Sequence, residues 1–467
     1  MKRFALLLFG SILYSHFVFS QSTIPVLNLD VFEEPGANWV IASDLTTDFN
    51  KSTAKLVSGD GIVVNIPTKG ATNLVTKAQL KGDVEIDFDF LTTKGSRSAV
   101  YILGRYKIQL SDSWPDGADP LSRVGVIDVN NAENSFSFHT EQPISNVGKA
   151  PGLWQHLKVK FKSPAFDGSG KKTEKASFEE VYLNGVLIHQ GIALEGPSNG
   201  SGFNDERTEG PLVFQADEDH LIAFKNIQYK TIEKADQPLA AARRFRMVNP
   251  IIVEAEGEPY VLRSYLLFDK GKRTHVISVG NPDQTNYSYD LKQGAILQFW
   301  RGGFVDATDM WESRGEPQLA RPLGAVTTLS SAPSFALLSN SGSIWPDSIP
   351  FDDFHNKGYS FDADKNVTFH YEYNGLNVDD KISMVGDGTS LKREVRVANA
   401  PENLYFRIAQ GKVIESLGKG LYVIDGKSYY IKVDEHVKPV IRELSNSEEL
   451  VIAFGKKLSS LEYSIIW

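Results

Sequence analysis

Residues 100–114 read Val-Tyr-Ile-Leu-Gly-Arg-Tyr-Lys-Ile-Gln-Leu-Ser-Asp-Ser-Trp, and the reading of this stretch decides the fold. Tyr106, Ile108 and Leu110 alternate with Arg105, Lys107 and Gln109, a period of two that puts apolar side chains on one face of a strand and polar ones on the other. Gly104 and Arg105 open the strand with a turn, and Asp112 and Trp114 close it. Such a polar face either lines a ligand groove or faces solvent, and the pattern by itself allows both.

The same period recurs on either side. Residues 84–90 alternate apolar with acidic residues, and 157–162 alternate apolar residues with lysines. Further strands are expected over 181–188, where Asn184-Gly185 is a hairpin turn signal, and over 222–230. Short strands separated by Gly, Pro, Asn and Asp clusters predict a sandwich or jelly roll over 28–231. Alternation stops over 232–242, a polar and then Ala-rich segment holding Pro238, which is expected to be a linker. Strand patterns restart at 260–268, 274–279, 287–289, 296–300, 367–373 and 421–424, so a second β-sandwich is expected over 243–467. The expected class is all-β with two domains, which suits 467 residues better than a single core.

The first twenty residues read as a signal peptide: Lys2 and Arg3 precede the apolar run 4–19, with small Ser20 at the cut. Export to the periplasm, the medium or the cell surface is the expectation. No later run approaches the roughly 20 apolar residues of a spanning helix, so no transmembrane span is expected after cleavage. The chain has no Cys, which excludes a disulfide framework and an acylated N-terminal cysteine. Lys and Arg number 49 against 58 Asp and Glu, a net charge of -9 without a dense basic patch, and nucleic acid is therefore not expected as a partner.

The 100–114 stretch resembles the core motif of the 3-keto-disaccharide hydrolase domain family, a concanavalin-like jelly roll whose usual wording is VYLQGRYEVQILDS. The resemblance runs in order along about 31–230. Asn73 to Lys77 matches NLVTK, 150–155 is similar to PPGEWQ, and 161–167 to FRAPRFD; 183–186, 195–197, 209–212 and 223–227 follow in register. Two positions depart from it. Lys107 stands where the family carries Glu, and Glu218 stands where Gln-Gly-Asp-His-Gly has His.

The resemblance implies chemistry on a sugar oxidised at C3. The ketone acidifies the C2 proton, so a base removes it, the C1 glycosidic oxygen leaves, and water adds. This route needs a base near C2, a cationic or hydrogen-bonding group for the enolate oxygen, and a proton donor for the leaving group. It does not need the paired carboxylates of an ordinary glycosidase. The candidate catalytic residues are Asp112, Asp217 and Lys107; the candidate substrate-binding residues are Arg105, Gln109, Trp114, Gln215 and Glu218. Arg105 is expected to hold the enolate oxygen and Asp112 to act as base. No cofactor is fixed by the sequence; the carboxylates of 217–219 read either as a solvated acidic loop or as a cluster suited to a base or to a divalent cation such as Ca²⁺. The expected partner is an oxidised glycoside. With Lys107 and Glu218 in place of the usual groups, a carbohydrate-binding or surface-interaction protein with a degenerate site is the alternative.

Other motifs carry less. Gly196-Pro197-Ser198-Asn199-Gly200 matches G-x-S-x-G but continues as loop rather than helix, so it reads as turn chemistry. Residues 362–366 open like an EF-hand loop, yet Val367 stands where Gly is required, and a strand-entry turn is expected. Residues 168–173 resemble a phosphate loop only in passing, and the nine histidines show no zinc spacing. His139, His156 and His189 are expected on the sandwich surface or in its core. The aromatic segment 263–324 resembles a module found beside such sugar domains, worded WRGDFLDATDMWHDRG. Trp300, Trp311 and Trp345 are either sugar-stacking platforms or core.

Overall fold

A computed structural model describes residues 22–114, 123–131, 134–232, 249–312, 318–340, 342–385, 388–455 and 458–467. The expected signal peptide and almost all of the expected linker lie outside these residues. Among the described residues no helix is long and apolar enough to cross a membrane.

The first domain is two antiparallel sheets face to face. The back sheet runs, in spatial order, Val186–Leu194, Ala176–Leu183, Trp154–Lys162, Val84–Thr92, Ile222–Thr231, Lys55–Asn65 and Trp39–Thr46, with the short Ser22–Thr23 strand beside Ile222–Thr231. The front sheet runs Asn134–Glu141, Ile127–Asn131, Tyr106–Ser111, Arg97–Ile102, Glu209–Phe214, Leu74–Lys81 and Phe32–Glu33. Between them lies one core, to which Phe88, Phe90, Tyr106, Ile108, Leu110, Phe161, Phe178, Phe214 and Phe224 contribute fully buried side chains. The alternation read from the sequence is this partition: Tyr106, Ile108 and Leu110 point into the core while Lys107 and Gln109 point away.

The acidic and lysine-rich strands are neighbours in the back sheet, in a register that sets Asp89 opposite His156, Asp87 opposite Lys158 and Glu85 opposite Lys160. Their inward residues build the core and their outward residues neutralise one another. Lys158 and Lys230 reach Glu85 at 3.0 and 2.8 Å. Asn184-Gly185 makes a two-residue hairpin, both residues at positive φ, between Leu183 and Val186.

The second domain is built from three sheets rather than one simple pair. A sheet of Ile252–Val253, Ala295–Asp306, Thr285–Asp290, Gly271–Gly280 and Tyr260–Phe268, with Arg321–Thr328 on Ala295–Asp306, packs with an eight-stranded sheet from Phe354–Phe361 to Ile414–Gly418; a four-stranded sheet completes it. One turn of helix, Thr308–Trp311, interrupts the β pattern. Its buried charges are paired. Asp380 accepts from Tyr289, at 2.7 Å, and from two nitrogens of Arg393, and Glu449 lies between Arg407 and Arg442.

The domains share apolar contacts. Ala150 and Leu153 of the first are buried in the core of the second, with Phe49 and Trp114 packed beside them. Lys427 reaches across to Asp44 at 2.8 Å, its carbonyl accepts from Trp154 N, and Tyr430 donates to Pro151 O at 2.9 Å.

Candidate functional site

The front sheet carries a second, smaller apolar patch on the side away from the core: Ala99, Tyr101 and Val213, with Val75 against them. Around this floor the strand register arranges polar groups. Tyr101 lies opposite Lys107, Ala99 opposite Gln109 and Arg97 opposite Ser111. Lys107 pairs with Asp128 at 3.2 Å, Gln109 donates to Ser111 Oγ at 2.7 Å, and the Tyr101 hydroxyl lies 3.4 Å from Gln215 Oε1. Burial, with the Asp128 carboxylate nearby, pushes the Tyr101 phenol up to about 12, so it remains a hydrogen-bond donor at neutral pH. Hydroxyl, amide and ammonium groups on an apolar floor suit the edges and CH faces of a sugar ring.

At one end of this face, on the rim of the sandwich, three side chains gather around the turn at Gly95. Asp217 is buried and accepts from Arg97 N at 2.6 Å, from Asp219 N at 2.9 Å and from His220 N at 3.1 Å. His220 Nδ1 lies 3.2 Å from each Asp217 carboxylate oxygen, leaving Nε2 directed toward Gly95. On the other side of that turn, Asp112 accepts from Gly95 N at 2.8 Å and Trp114 N at 3.0 Å. Burial raises the Asp112 carboxyl above its ordinary range despite these two hydrogen bonds and the opposing charges of Lys94 and His220. The arrangement is an imidazole oriented by one carboxylate, with a second carboxyl group, its pKa raised by burial, bonded to the same Gly95 turn.

Asp112 and Asp217 thus come together at the rim, while Lys107, Gln109 and Gln215 stand on the adjoining sheet face. Arg105 takes no place in either group. It lies in the turn before the strand and is buried, donating to Leu103 O at 2.7 Å and to Asp205 through its backbone carbonyl at 2.7 Å and its carboxylate at 2.6 Å. Its guanidinium covers the Phe203 ring at 4.5 Å. The fold uses it to hold the 203–205 loop, so its guanidinium is bonded within the protein and not on the front face where Lys107 and Gln109 stand.

Trp114 turns toward the second domain, its ring 5.5 Å from that of Phe49. Glu218 accepts from Gly70 N at 3.0 Å on the exposed side of its loop, while Asp217 accepts from Arg97 N. Among the described residues no three His, Asp or Glu side chains group as ligands for a metal ion. His220 is the residue that sequence reasoning passed over, and the available signal was its place two positions after Glu218, where the related motif has its histidine.

The discounted motifs have local roles. Ser198 Oγ accepts from Lys107 N at 2.9 Å, satisfying an amide that the Ile127–Asn131 strand does not reach. Asp362 caps the turn into Val367–Tyr373 and pairs with Lys381 at 2.7 Å, which holds its carboxyl down at about 2. Residues 168–170 form an exposed turn on Asp167. His189 is buried against Gly125 O at 2.7 Å, whereas His139 is exposed beside Glu141. Trp300 is fully buried and Trp345 nearly so, under Arg407 and Arg442; Trp311 is exposed.

The first domain is a two-sheet β-sandwich with a polar front face. Residues 34–230 match the family described as the 3-keto-alpha-glucoside-1,2-lyase-like domain, and the second domain falls outside the match. No curated protein matches the chain. Among solved structures the chain is similar to a proposed glycosyl hydrolase of Parabacteroides distasonis, at 18% identity over 45% of this chain and 84% of that one, with a TM-score of 0.32. A second structure of a proposed glycosyl hydrolase from the same organism gives 18% identity over 42% and 89%, with a TM-score of 0.26. LamAcat of Zobellia galactanivorans gives 9% identity over 44% and 95%, with a TM-score of 0.23.

Proposed function

We propose that the first domain cleaves 3-keto-glycosides by elimination, followed by addition of water, and that the protein does so after export. The observation that carries the reading is the convergence of His220, Asp217 and Asp112 on the turn at Gly95, beside the polar front face. His220, oriented by Asp217, takes the C2 proton. The C1–oxygen bond breaks as the C1–C2 double bond forms, and Asp112 gives its proton to the departing oxygen. Arg97, exposed at the start of its strand, offers a positive charge to the enolate oxygen at C3, while Gln109, Ser111 and Gln215 bind hydroxyls. Water then adds across the double bond and returns the proton to C2.

One observation favours the second reading, a carbohydrate-binding protein without turnover. Lys107, standing where the related motif has Glu, is neutralised by Asp128, and Glu218, standing where it has His, points at Gly70. A chromogenic 3-keto-glucoside, offered with divalent metal and with EDTA, separates the two. The enzyme reading expects turnover that falls about 100-fold or more in His220→Gln. Saturable glycan binding with no turnover under any condition establishes the binding protein instead. For export, expression of the full chain in a bacterial host with fractionation is expected to give a mature N-terminus at Gln21.

A further inference from the structure

The back sheet carries a cleft of about 350 Å³ where the second domain meets it, on the side of the sandwich away from the front face. Its walls are Asp89, Trp154, His156, Asn184 and Lys149 from the first domain and 325–327 from the second. Both oxygens of Asp89 are already occupied, by His156 Nδ1 at 2.8 Å and Asn226 Nδ2 at 2.7 Å. Asn184 spends its amide on Val147 O and Gln155 and its oxygen on His156 N. Gln155 Oε1 accepts from Lys149 N at 3.0 Å as well, which leaves its amide nitrogen as the free end.

The side-chain groups left facing the cleft are therefore donors: the Lys149 ammonium, His156 Nε2 and the Gln155 amide, with the Thr327 hydroxyl able to serve either way. Among the described residues no side chain or carbonyl accepts a hydrogen bond from the Lys149 ammonium. Burial pushes the amine down to about 8, against the pull of the nearby Asp89 carboxylate. The Asp89 carboxylate beside His156 raises the imidazole in the opposite direction, which favours its charged, doubly donating form.

We propose that this cleft is a binding site for a small oxyanion, the carboxylate of a sugar acid or a phosphate, held between Lys149 and His156. The ligand supplies the direct partner that the Lys149 ammonium lacks while Asp89 is bonded to His156 and Asn226, and it sits against residues of both domains. This reading is independent of the chemistry proposed for the front face.

Calorimetric titration of the full chain with glucuronate, inorganic phosphate and glucose tests it. Glucuronate or phosphate is expected to bind saturably and glucose not to bind, and which anion binds more tightly identifies the source of the charge. Lys149→Met keeps the stem and removes the charge, and it is expected to weaken anion binding about tenfold or more while the unliganded protein melts no lower than the parent. His156→Gln, which keeps one N–H, is expected to weaken binding less. Absence of binding by either anion at millimolar concentration, equal binding of glucose, or unchanged affinity in a folded Lys149→Met protein would each overturn the proposal.

Discussion

The imidazole of His220 lies over Gly95, with Nε2 3.0 Å from the point a Cβ would occupy there. Gly95 also holds a φ of +80°, a backbone state that a side chain disfavours by about 1 kcal/mol. Gly95→Ala is therefore expected to displace the ring from its place beside Asp217. On a 3-keto-glucoside the substitution should lower kcat much more than it lowers the melting temperature. Equal activity in the variant would remove His220 from the mechanism.

Arg105 is expected to matter for stability rather than chemistry. Arg105→Met leaves Leu103 O and the Asp205 groups without their donor and loosens the 203–205 loop, a loss of about 2–3 kcal/mol by denaturant unfolding. Sugar affinity per folded molecule is expected to change little, and a large selective loss of affinity would place Arg105 back in the site.

Substitution of Lys107 by Glu sets a carboxylate against Asp128 across the neighbouring strands. The cost should be about 1 kcal/mol, reading as a drop of roughly 2–4 °C in melting temperature, and Asp128→Lys added to Lys107→Glu should recover most of it. A single variant as stable as the parent would mean that the 3.2 Å pair contributes nothing.

The Asp89–His156 pair predicts a pH window. Hydrogen bonding to Asp89 raises the folded His156 above its unfolded value of about 6.5, so its contribution is complete below that value and disappears as pH rises through the folded one. Burial opposes the charged form of Asp89, but His156 and Asn226 still lower its folded value, so its contribution is present above about 4 and is lost as pH falls through the folded value. Lys149, Lys158, Lys225 and Asp87 share this surface and temper the effect. The stability difference between parent and His156→Gln should peak between those limits and shrink above pH 7. Since the imidazole is nearly half exposed, the peak should stay under about 1 kcal/mol, and a flat difference would contradict the assignment.

Between the domains, Gly152 has a φ of +79° and no room, because a Cβ there would lie 2.3 Å from the Tyr430 hydroxyl. Gly152→Ala is expected to break the bond from Tyr430 to Pro151 O and to split thermal unfolding into two transitions. A single, unshifted transition would show that the domains are coupled elsewhere.

Much of this fold is visible in the sequence because alternation and burial coincide. The acidic residues after Val84 and the lysines after Leu157 announce two half-buried strands, and Asn184-Gly185 announces its turn. Charge complementarity also hints that the two strands are neighbours, though only the structure gives their register. Arg105 shows where the pattern misleads, since alternation assigns it to the strand face while the positive φ of Leu103 and Gly104 makes it part of the turn. The helix at Thr308–Trp311 is too short to show a helical period. His220 was obscured because its partner, Asp217, is three residues away in a loop, and their meeting with Asp112 at the 95–97 backbone joins segments far apart in sequence. The three-sheet plan of the second domain rests on pairings between strands far apart in sequence, which no local pattern encodes.

The shared contacts at 150–154 bear on whether the family-matching segment is portable. In this chain Ala150 and Leu153 are fully buried in one cluster with residues of the second domain, and Phe49 and Trp114 pack against the same cluster. Cut free at residue 232, the jelly roll would carry an apolar scar instead of a finished surface, leaving it prone to self-association. The second domain therefore covers apolar surface of the first, whatever else it contributes.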